Sequence, residues 1–204
     1  LAGIRMHLEL LAFESPDTIG PLIQRIDDLM QLTDQLLQLA RASQQSRAGQ
    51  LQMDDMDLVA EVCLPLQHEF DWYSDLHMEW HLPEHAYCVA SAPLLQIALK
   101  NLIANARKYG GERPEIKVSV VAEQNEWVLR VCDNGPGVAP ELLGQLTDSF
   151  FRADQVKQGY GLGLSIVKRI TDLHQADLQL TNLAGSGLQV AFRLKLVEAL
   201  VSVQ

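Results

Sequence analysis

The sequence is short of cysteine, of positive charge and of long apolar runs. Its three cysteines, Cys63, Cys88 and Cys132, are scattered with no metal-like spacing, which favours a reducing compartment over a disulfide framework. Lys and Arg number 16 against 26 Asp and Glu, and a net charge of −10 argues against non-specific binding to nucleic acid or anionic membranes. No apolar run approaches the ~18 residues of a membrane span.

The chain of 204 residues is 48% hydrophobic, enough to form a packed core. Its first part has helical periodicity, with Leu1, Ile4, Leu8 and Leu11 on one face and Ser15 to Pro21 as turn and helix-start residues. We predict a helical hairpin whose apolar stripe needs a partner, either a second helix pair or the rest of the chain. The seam of the second arm is Ile19, Leu22, Ile26, Leu29, Thr33, Leu36 and Ala40.

After the polar stretch from Arg41 to Gln50 the pattern becomes α+β. Strands are predicted over 76–82, 115–121, 126–132 and 187–196, where apolar residues alternate, and helices near 57–70, 93–109 and 162–174. Short polar turns between neighbouring strands favour antiparallel pairing. We therefore expect helices on one face of a mixed, mostly antiparallel sheet.

One face of the 93–109 helix carries Asn101, Asn105 and Lys108 at spacings of four and three. Amide oxygens can ligate a hard cation and an ammonium can bind phosphate, but a solvated polar face would have the same pattern. The motif "DNGPG" follows the 126–132 strand with Asp133, Gly135 and Gly137. Its glycines would let the backbone approach a flat ligand, although a plain turn has the same composition.

A third motif, "SFFRAD", offers Phe150 and Phe151 to pin a segment to the body and Arg152 to reach a phosphate. The glycine loop "GYGLGL" follows and leads into the 162–174 helix, whose free N–H groups would form an anion site. The loop is neither a dinucleotide fingerprint, because Leu164 stands at its last glycine position, nor a P-loop, because no Lys-Ser or Lys-Thr pair follows Gly163. Taken alone, it could be a flexible connector.

In this order, the motifs resemble those of the ATP-binding domain of sensor histidine kinases, whose fold is shared with the gyrase, Hsp90 and MutL ATPases. Asn101–Tyr109 corresponds to the asparagine box, Asp133–Gly137 to the first glycine box, Phe150–Arg152 to the phenylalanine box and Gly159–Leu164 to the second glycine box. The last glycine motif, Ala184 to Val190, departs from the family pattern because Leu188 replaces the usual small hydroxyl residue. The resemblance implies a Bergerat-type α/β sandwich that binds ATP and Mg²⁺.

The resemblance also implies the role of each site residue. Asp133 would accept the adenine amino group, Asn105 would ligate Mg²⁺ with Asn101 beside it, and Tyr109 would lie by the adenine or ribose. Lys108 and Arg152 would hold phosphates. The expected ATP-binding set is Asn101, Asn105, Lys108, Tyr109, Asp133, Gly135, Gly137, Phe150, Arg152, Gly159, Gly161, Leu162, Gly163 and Leu164.

The first arm of the hairpin resembles the end of the dimerisation helix of this family, where the pattern H-E-L-R-T-P-L-A-G carries the phospho-accepting histidine. The chain starts at Leu1-Ala2-Gly3, without Met, so we expect the acceptor upstream of Leu1 and no autophosphorylation of this piece. His68 precedes Glu69 but lacks the R-T-P that should follow, and His7 has the wrong neighbours. The expected domains are a dimerisation hairpin at 1–47, a linker at 48–54 and an ATP-binding domain at 55–198.

The resemblance is to polymyxin-resistance-type sensor kinases and implies a protein-histidine kinase that passes its phosphoryl group to an aspartate of a winged-helix response regulator. It implies a homodimer and a cytoplasmic piece of an inner-membrane bacterial protein, anchored through segments outside this sequence, with no direct contact to nucleic acid. Two alternatives remain open at this point: a mechanochemical ATPase of the gyrase, Hsp90 or MutL type, and a catalytically silent nucleotide-binding module.

Overall fold

The computed structural model describes residues 16–49, 51–72, 76–111, 113–151, 161–184 and 187–197. The chain divides into two compact units, Leu1–Ala48 and Gly49–Gln204. Among the described residues, no helix is both long and apolar enough to cross a membrane.

The described part of the first unit is a long helix, α1 (Pro16–Arg47). The helix begins at Pro16 and passes through Gly20 and Pro21, which the sequence predicted as turn residues. It also continues through 41–47, most of the polar stretch that precedes the predicted linker at 48–54. Polar residues such as Gln and Arg are good helix formers, so low hydrophobicity alone does not end a helix. The first arm of the predicted hairpin lies outside the described residues.

The second unit is built on a five-stranded sheet. Its strands are β2 (His77–His81), β4 (Glu115–Glu123), β5 (Glu126–Asp133), β6 (Leu178–Asn182) and β7 (Leu188–Lys195). Their order across the sheet is β2-β4-β5-β7-β6. β2 pairs with β4 in parallel and all other neighbours are antiparallel, which confirms the mixed, mostly antiparallel sheet. A separate antiparallel pair consists of β1 (Asp54–Asp57) and β3 (Tyr87–Ala90).

The helices of this unit are α2 (Leu64–Phe70), α3 (Ala92–Tyr109) and α4 (Gly163–Leu173), with a 3₁₀ segment at Pro140–Gln145. The predicted 57–70 helix is in fact a π-helical stretch, Val59–Cys63, that runs into α2. Helix α3 begins after the extended Ser91, has Pro93 in its first turn and ends at Gly110, as expected for these residue types.

The core lies between the sheet and the helices α3 and α4. It takes the apolar face of α3 predicted from its spacing, together with one face of the sheet: Ile116, Val118 and Val120 of β4, Leu129 and Val131 of β5, and Val190, Phe192 and Leu194 of β7. Because Asp133 is paired with Ile116, whose side chain is buried, it belongs to the helix-covered face at the end of β5. The fold therefore places the predicted asparagine face, the Asp133 motif and the start of α4 on the same side of the sheet.

Candidate nucleotide site

The two asparagines of α3 lie against the first residue of α4. A Cβ added to Gly163 would stand 3.2 Å from Asn105 Nδ2, 3.3 Å from Asn105 Oδ1 and 3.3 Å from Asn101 Oδ1. Asn101 Nδ2 donates to the carbonyl of Ile97 at 2.8 Å, which fixes that amide on the helix surface. Both asparagines are half-buried. The two motifs that the sequence separates by more than fifty residues thus lie side by side, and a side chain at 163 would crowd the amides.

The glycine loop ends at a helix start whose first N–H groups have no intrahelical partner. Gly161 has a φ of +68°, a conformation that glycine adopts without strain. Leu162 precedes the helix, and its carbonyl accepts from the Ile166 N–H and the Ser165 hydroxyl, both at 2.9 Å. Free N–H groups and the helix dipole at this end favour an anion beside the asparagine amides.

The phenylalanine segment joins the loop through its backbone. The Phe150 N–H donates to the Gly161 carbonyl at 2.9 Å, and Phe150 has a φ of +68°. Its ring is 73% exposed, so it does not pin this segment to the body as the sequence suggested, whereas Phe151 is half-buried. Arg152 and Gly159 lie outside the described residues.

Asp133 is held at the end of β5 by two backbone donors. Its Oδ1 accepts from the Gly135 N–H at 2.8 Å and from the Leu188 N–H at 3.2 Å. The residue at 188 therefore contributes its backbone N–H to this arrangement, which needs no hydroxyl side chain. The preceding Gly187 has a φ of +107°, and a Cβ there would stand 1.9 Å from the Asp133 carbonyl oxygen.

The first glycine motif packs on the end of α3. A Cβ added to Gly135 would stand 2.3 Å from the Tyr109 carbonyl oxygen, so no larger residue fits without a backbone shift. Lys108 Nζ lies 4.8 Å from the centroid of the Tyr109 ring, close enough for a cation–π contact. The asparagine box and the first glycine box thus meet at Tyr109, with Lys108 beside them.

Asn182 and Asn134, which were not singled out from the sequence, hold the loop that follows Asp133 in place. Asn182 Oδ1 accepts from the Val138 N–H at 3.0 Å and its Nδ2 donates to the Val138 carbonyl at 2.6 Å. Asn134 Oδ1 accepts from the Glu115 N–H at 2.9 Å and its Nδ2 donates to the Arg113 carbonyl at 3.1 Å. Asn182 ends β6, and the alternation of Leu178 and Leu180 could have predicted that strand.

Cys132, the residue before Asp133, does not have a reactive thiol. Cys132 faces away from the helices, paired with Lys117 and Gln189 across the neighbouring strands. Burial raises its pKa, and the Asp133 carboxylate raises it further. The thiol therefore stays protonated at neutral pH, and we assign it no role as a nucleophile.

A mixed sheet covered on one face by helices, with an asparagine pair, a carboxylate and a glycine-led helix start on that face, defines a Bergerat-type ATP-binding domain. The family described as "Histidine kinase-, DNA gyrase B-, and HSP90-like ATPase" matches residues 90–198. The chain belongs to this family and, within it, to the bacterial sensor histidine kinases of the BasS and PmrB kind.

The curated relatives cover both units of the chain. The sensor protein BasS of Escherichia coli is 39% identical over 200 residues, which is 96% of this chain and 54% of that protein. BasS of Salmonella typhimurium is 39% identical over 186 residues, 89% of this chain and 51% of that protein. The sensor protein kinase PmrB of Pseudomonas aeruginosa is 31% identical over 93% of this chain and 41% of that protein. The chain thus spans about half the length of the relatives it matches.

Solved structures agree with the fold. The histidine kinase domain of the E. coli osmosensor EnvZ is 30% identical, with a TM-score of 0.56 over 75% of this chain and 93% of that one. Full-length ShkA, solved in complex with AMPPNP, gives a TM-score of 0.67 at 23% identity over 91% of this chain and 40% of that one. The family match, with which these folds agree, makes residues 90–198 an ATP-binding core of the histidine kinase family.

Proposed function

We propose that this chain binds Mg-ATP at the face shared by α3, the Asp133 loop and the start of α4, and transfers the γ-phosphoryl group to a histidine. The observation that carries the proposal is the proximity of Gly163 to the amides of Asn101 and Asn105. It gathers amide oxygens, suited to a hard cation, and helix N–H groups, suited to phosphate, within one small region.

Asp133 is the adenine-recognising group in this proposal. Two backbone N–H donors hold its Oδ1, which fixes the direction of the carboxylate, and a carboxylate accepts from an amino group such as that of adenine. Gly135 and Gly137 let the loop after Asp133 pack closely on Tyr109 and Asn182, which fixes the position of the carboxylate. Tyr109 lies by the base or ribose.

Asn105 fits Mg²⁺ because its amide oxygen is a hard ligand, and Mg²⁺ usually takes one or two protein ligands together with phosphate oxygens and water. When bound, the ion neutralises phosphate charge during transfer. The chain's own contribution is orientation: the helix start and Gly161, Leu162, Gly163 and Leu164 line the phosphates, and Lys108 and Arg152 supply positive charge.

The direct test is calorimetric titration with ATP and GTP, each in excess Mg²⁺ and in EDTA. We expect ATP to bind more tightly than GTP and more tightly with Mg²⁺ than without it. Asn105→Ala should remove most of the Mg²⁺ effect. Because alanine is a better helix former than asparagine, a weaker Mg²⁺ effect in this variant would not come from a less stable α3. Equal affinity for ATP in wild type and Asn105→Ala with Mg²⁺ would contradict the site.

The reaction itself is tested by supplying a dimerisation helix that bears the H-E-L-R-T-P motif, together with γ-labelled ATP. Acid-labile, base-stable label on that helix, and its passage to an aspartate of a response regulator, would support the kinase. Phosphate release without labelling would indicate an ATPase, and tight ATP binding without either would indicate a silent module.

We propose that α1 pairs with a second copy of the chain. Leu22, Leu29 and Leu36 recur every seven residues and are 45%, 46% and 44% exposed. Fully burying an exposed leucine contributes roughly 1.5–3 kcal/mol, and the exposed part of each of these side chains would contribute its share of that, so a shared seam would favour a dimer. Leu29→Asp should shift the sedimentation of the chain toward monomer, whereas Thr33→Leu, at the neighbouring seam position, should strengthen the association.

A further inference from the structure

His174 forms a polar link between two helices of the nucleotide site. It lies at the end of α4, where its Nδ1 is 2.8 Å from the carbonyl of Ile170, one turn back in the same helix. Its Nε2 accepts from the N–H of Ser91 at 3.0 Å, and Ser91 is the residue that starts α3. The ring is half-buried, so these two bonds replace contacts with water.

The two partners specify one protonation state. A carbonyl can only accept, so Nδ1 must carry a hydrogen, and a backbone N–H can only donate, so Nε2 must be bare. The neutral Nδ1–H tautomer satisfies both bonds. The imidazolium would instead place an N–H group against the Ser91 N–H, and that bond would be lost.

The link lies at the opposite end of the helix pair from the proposed Mg-ATP site. From Ser91 to Asn101 and Asn105, α3 rises about 15–21 Å, and from Gly163 to His174, α4 rises about 16 Å. The start of α3 thus meets the end of α4, and the asparagines meet Gly163. The antiparallel pair is fixed at both ends, so a slide or tilt at one end is transmitted to the other.

We propose that His174 is a positioning residue for the nucleotide site: its neutral ring fixes α4 against α3 and thereby sets the distance of Gly163 from the Asn101 and Asn105 amides. The inference rests on the function proposed above. It predicts an ATP affinity that depends on the protonation of a residue remote from the nucleotide.

The surroundings of the ring favour the neutral form. Burial lowers the pKa of His174 below its ordinary value of 6.5, partly offset by the Ile170 carbonyl. No residue between Tyr87 and Leu99, the segment that contains Ser91, is charged. The charged groups on the adjoining elements are exposed or engaged: Asp172 is paired with Lys168, Asp177 accepts from Gln179, Glu61 accepts from the Asp57 N–H, and Arg169 is exposed.

The test compares ATP affinity from pH 8 down to pH 4.5 in wild type, His174→Gln and His174→Phe. The glutamine side chain has a carbonyl oxygen to accept from Ser91 and an amide N–H to donate to Ile170, and it does not titrate. Phenylalanine fills the space without either bond. Val128→Ala, a buried change on β5, controls for lost stability, and all titrations run at temperatures where each variant is folded.

In wild type we expect ATP binding to weaken as the pH falls through the lowered pKa of His174, by up to roughly tenfold once the ring is protonated, the scale of one buried donor left unsatisfied. His174→Gln should keep wild-type affinity at neutral pH and lose this part of the pH dependence. His174→Phe should bind about tenfold more weakly at every pH. Val128→Ala should follow the wild-type profile, since its destabilisation does not act on the helix pair.

Imidazole ¹⁵N shifts give an independent readout, and should show hydrogen on Nδ1 and none on Nε2 at pH 7.5. Wild-type affinity in His174→Phe, or a proton on Nε2, would overturn the positioning role while leaving the proposed function intact. A wild-type chain that binds no ATP at any pH would instead overturn the proposed function, and this role with it.

Discussion

Gly163 faces the Asn105 amide: the position that a Cβ at residue 163 would occupy lies 3.2 Å from Nδ2 and 3.3 Å from Oδ1 of the asparagine. This proximity unites a helix face and a glycine loop that the sequence presents as separate motifs. It also makes Gly163 part of the cation site that we propose, although glycine has no ligating atom of its own.

Gly163→Ala should therefore weaken Mg-ATP binding by displacing the Asn105 amide. Distances of 3.2–3.3 Å are tight for a methyl group, so the carboxamide must move by a few tenths of an ångström. We expect roughly a three- to tenfold rise in the Kd for ATP with Mg²⁺, about 0.7–1.4 kcal/mol, and a smaller change in EDTA. Calorimetry under both conditions measures the difference. Equal loss with and without Mg²⁺ would show that the alanine disturbs the phosphate loop rather than the cation ligand.

Asp133→Asn separates the structural role of this carboxyl group, as an acceptor for backbone N–H groups, from its proposed role in adenine recognition. The amide oxygen can still accept from the N–H groups of Gly135 and Leu188, so we expect the variant to stay folded, within about 1 kcal/mol of wild type. Its changed charge and added donors should still abolish recognition of the adenine amino group. Asp133→Ala should lose ATP binding and also about 1–3 kcal/mol of stability, because two backbone donors lose their acceptor. Urea unfolding and ATP titration of both variants check the separation. ATP binding retained in Asp133→Asn would remove Asp133 from the base site.

Gly135→Ala tests the close packing of the first glycine motif on α3. A Cβ at 135 would stand 2.3 Å from the Tyr109 carbonyl oxygen and 2.9 Å from Asp133 Oδ1, and the first of these atoms is backbone that cannot rotate away. We expect a loss of about 2–4 kcal/mol in unfolding free energy, together with loss of ATP binding. Gly144→Ala is the matched control, because no atom lies within 4 Å of its added Cβ. Thermal unfolding of both variants gives the comparison, and similar stabilities would refute this account of the packing.

The regular parts of the fold could be predicted because their sequence patterns are strong. The buried face of α3 and the alternation in β4, β5 and β7 follow directly from residue spacing. The short strands β1, β3 and β6 were missed. Asp54–Asp57 is mostly acidic and owes its strand conformation to pairing with β3, a tertiary effect that outweighs local propensity.

The candidate site was likewise predictable only in part. Side chains with distinctive chemistry, such as Asn105 and Asp133, could be named from the resemblance, and their roles remain predictions. The contacts that hold the motifs together could not be named, because they join residues far apart in the chain. Asn182 clamps Val138, and His174 bonds Ser91 across 83 residues. No local pattern distinguishes such residues from ordinary surface asparagine or histidine.

The last prediction concerns Asp57, a buried carboxylate at the end of β1. Its Oδ1 accepts from the backbone N–H groups of Val59 and Ala86, at 3.0 and 2.9 Å, and its Oδ2 lies 2.7 Å from Nδ1 of His85. Burial alone would raise the pKa of Asp57, but these hydrogen bonds outweigh it and hold the pKa below its ordinary value of 3.8. The carboxylate is therefore more stable in the folded chain than in the unfolded one.

A lowered carboxyl pKa stabilises the fold at pH values above 3.8, and this contribution is lost as pH falls through the folded-state pKa. We expect Asp57→Ala to lose about 2–4 kcal/mol at pH 7, since two buried N–H groups lose their acceptor. Asp57→Asn keeps an acceptor for those groups and should lose less. The difference in unfolding free energy between wild type and Asp57→Asn, measured in urea from pH 7 to pH 3, should shrink below pH 4. A difference that stays constant over this range would show that the ionised carboxylate is not what stabilises this turn.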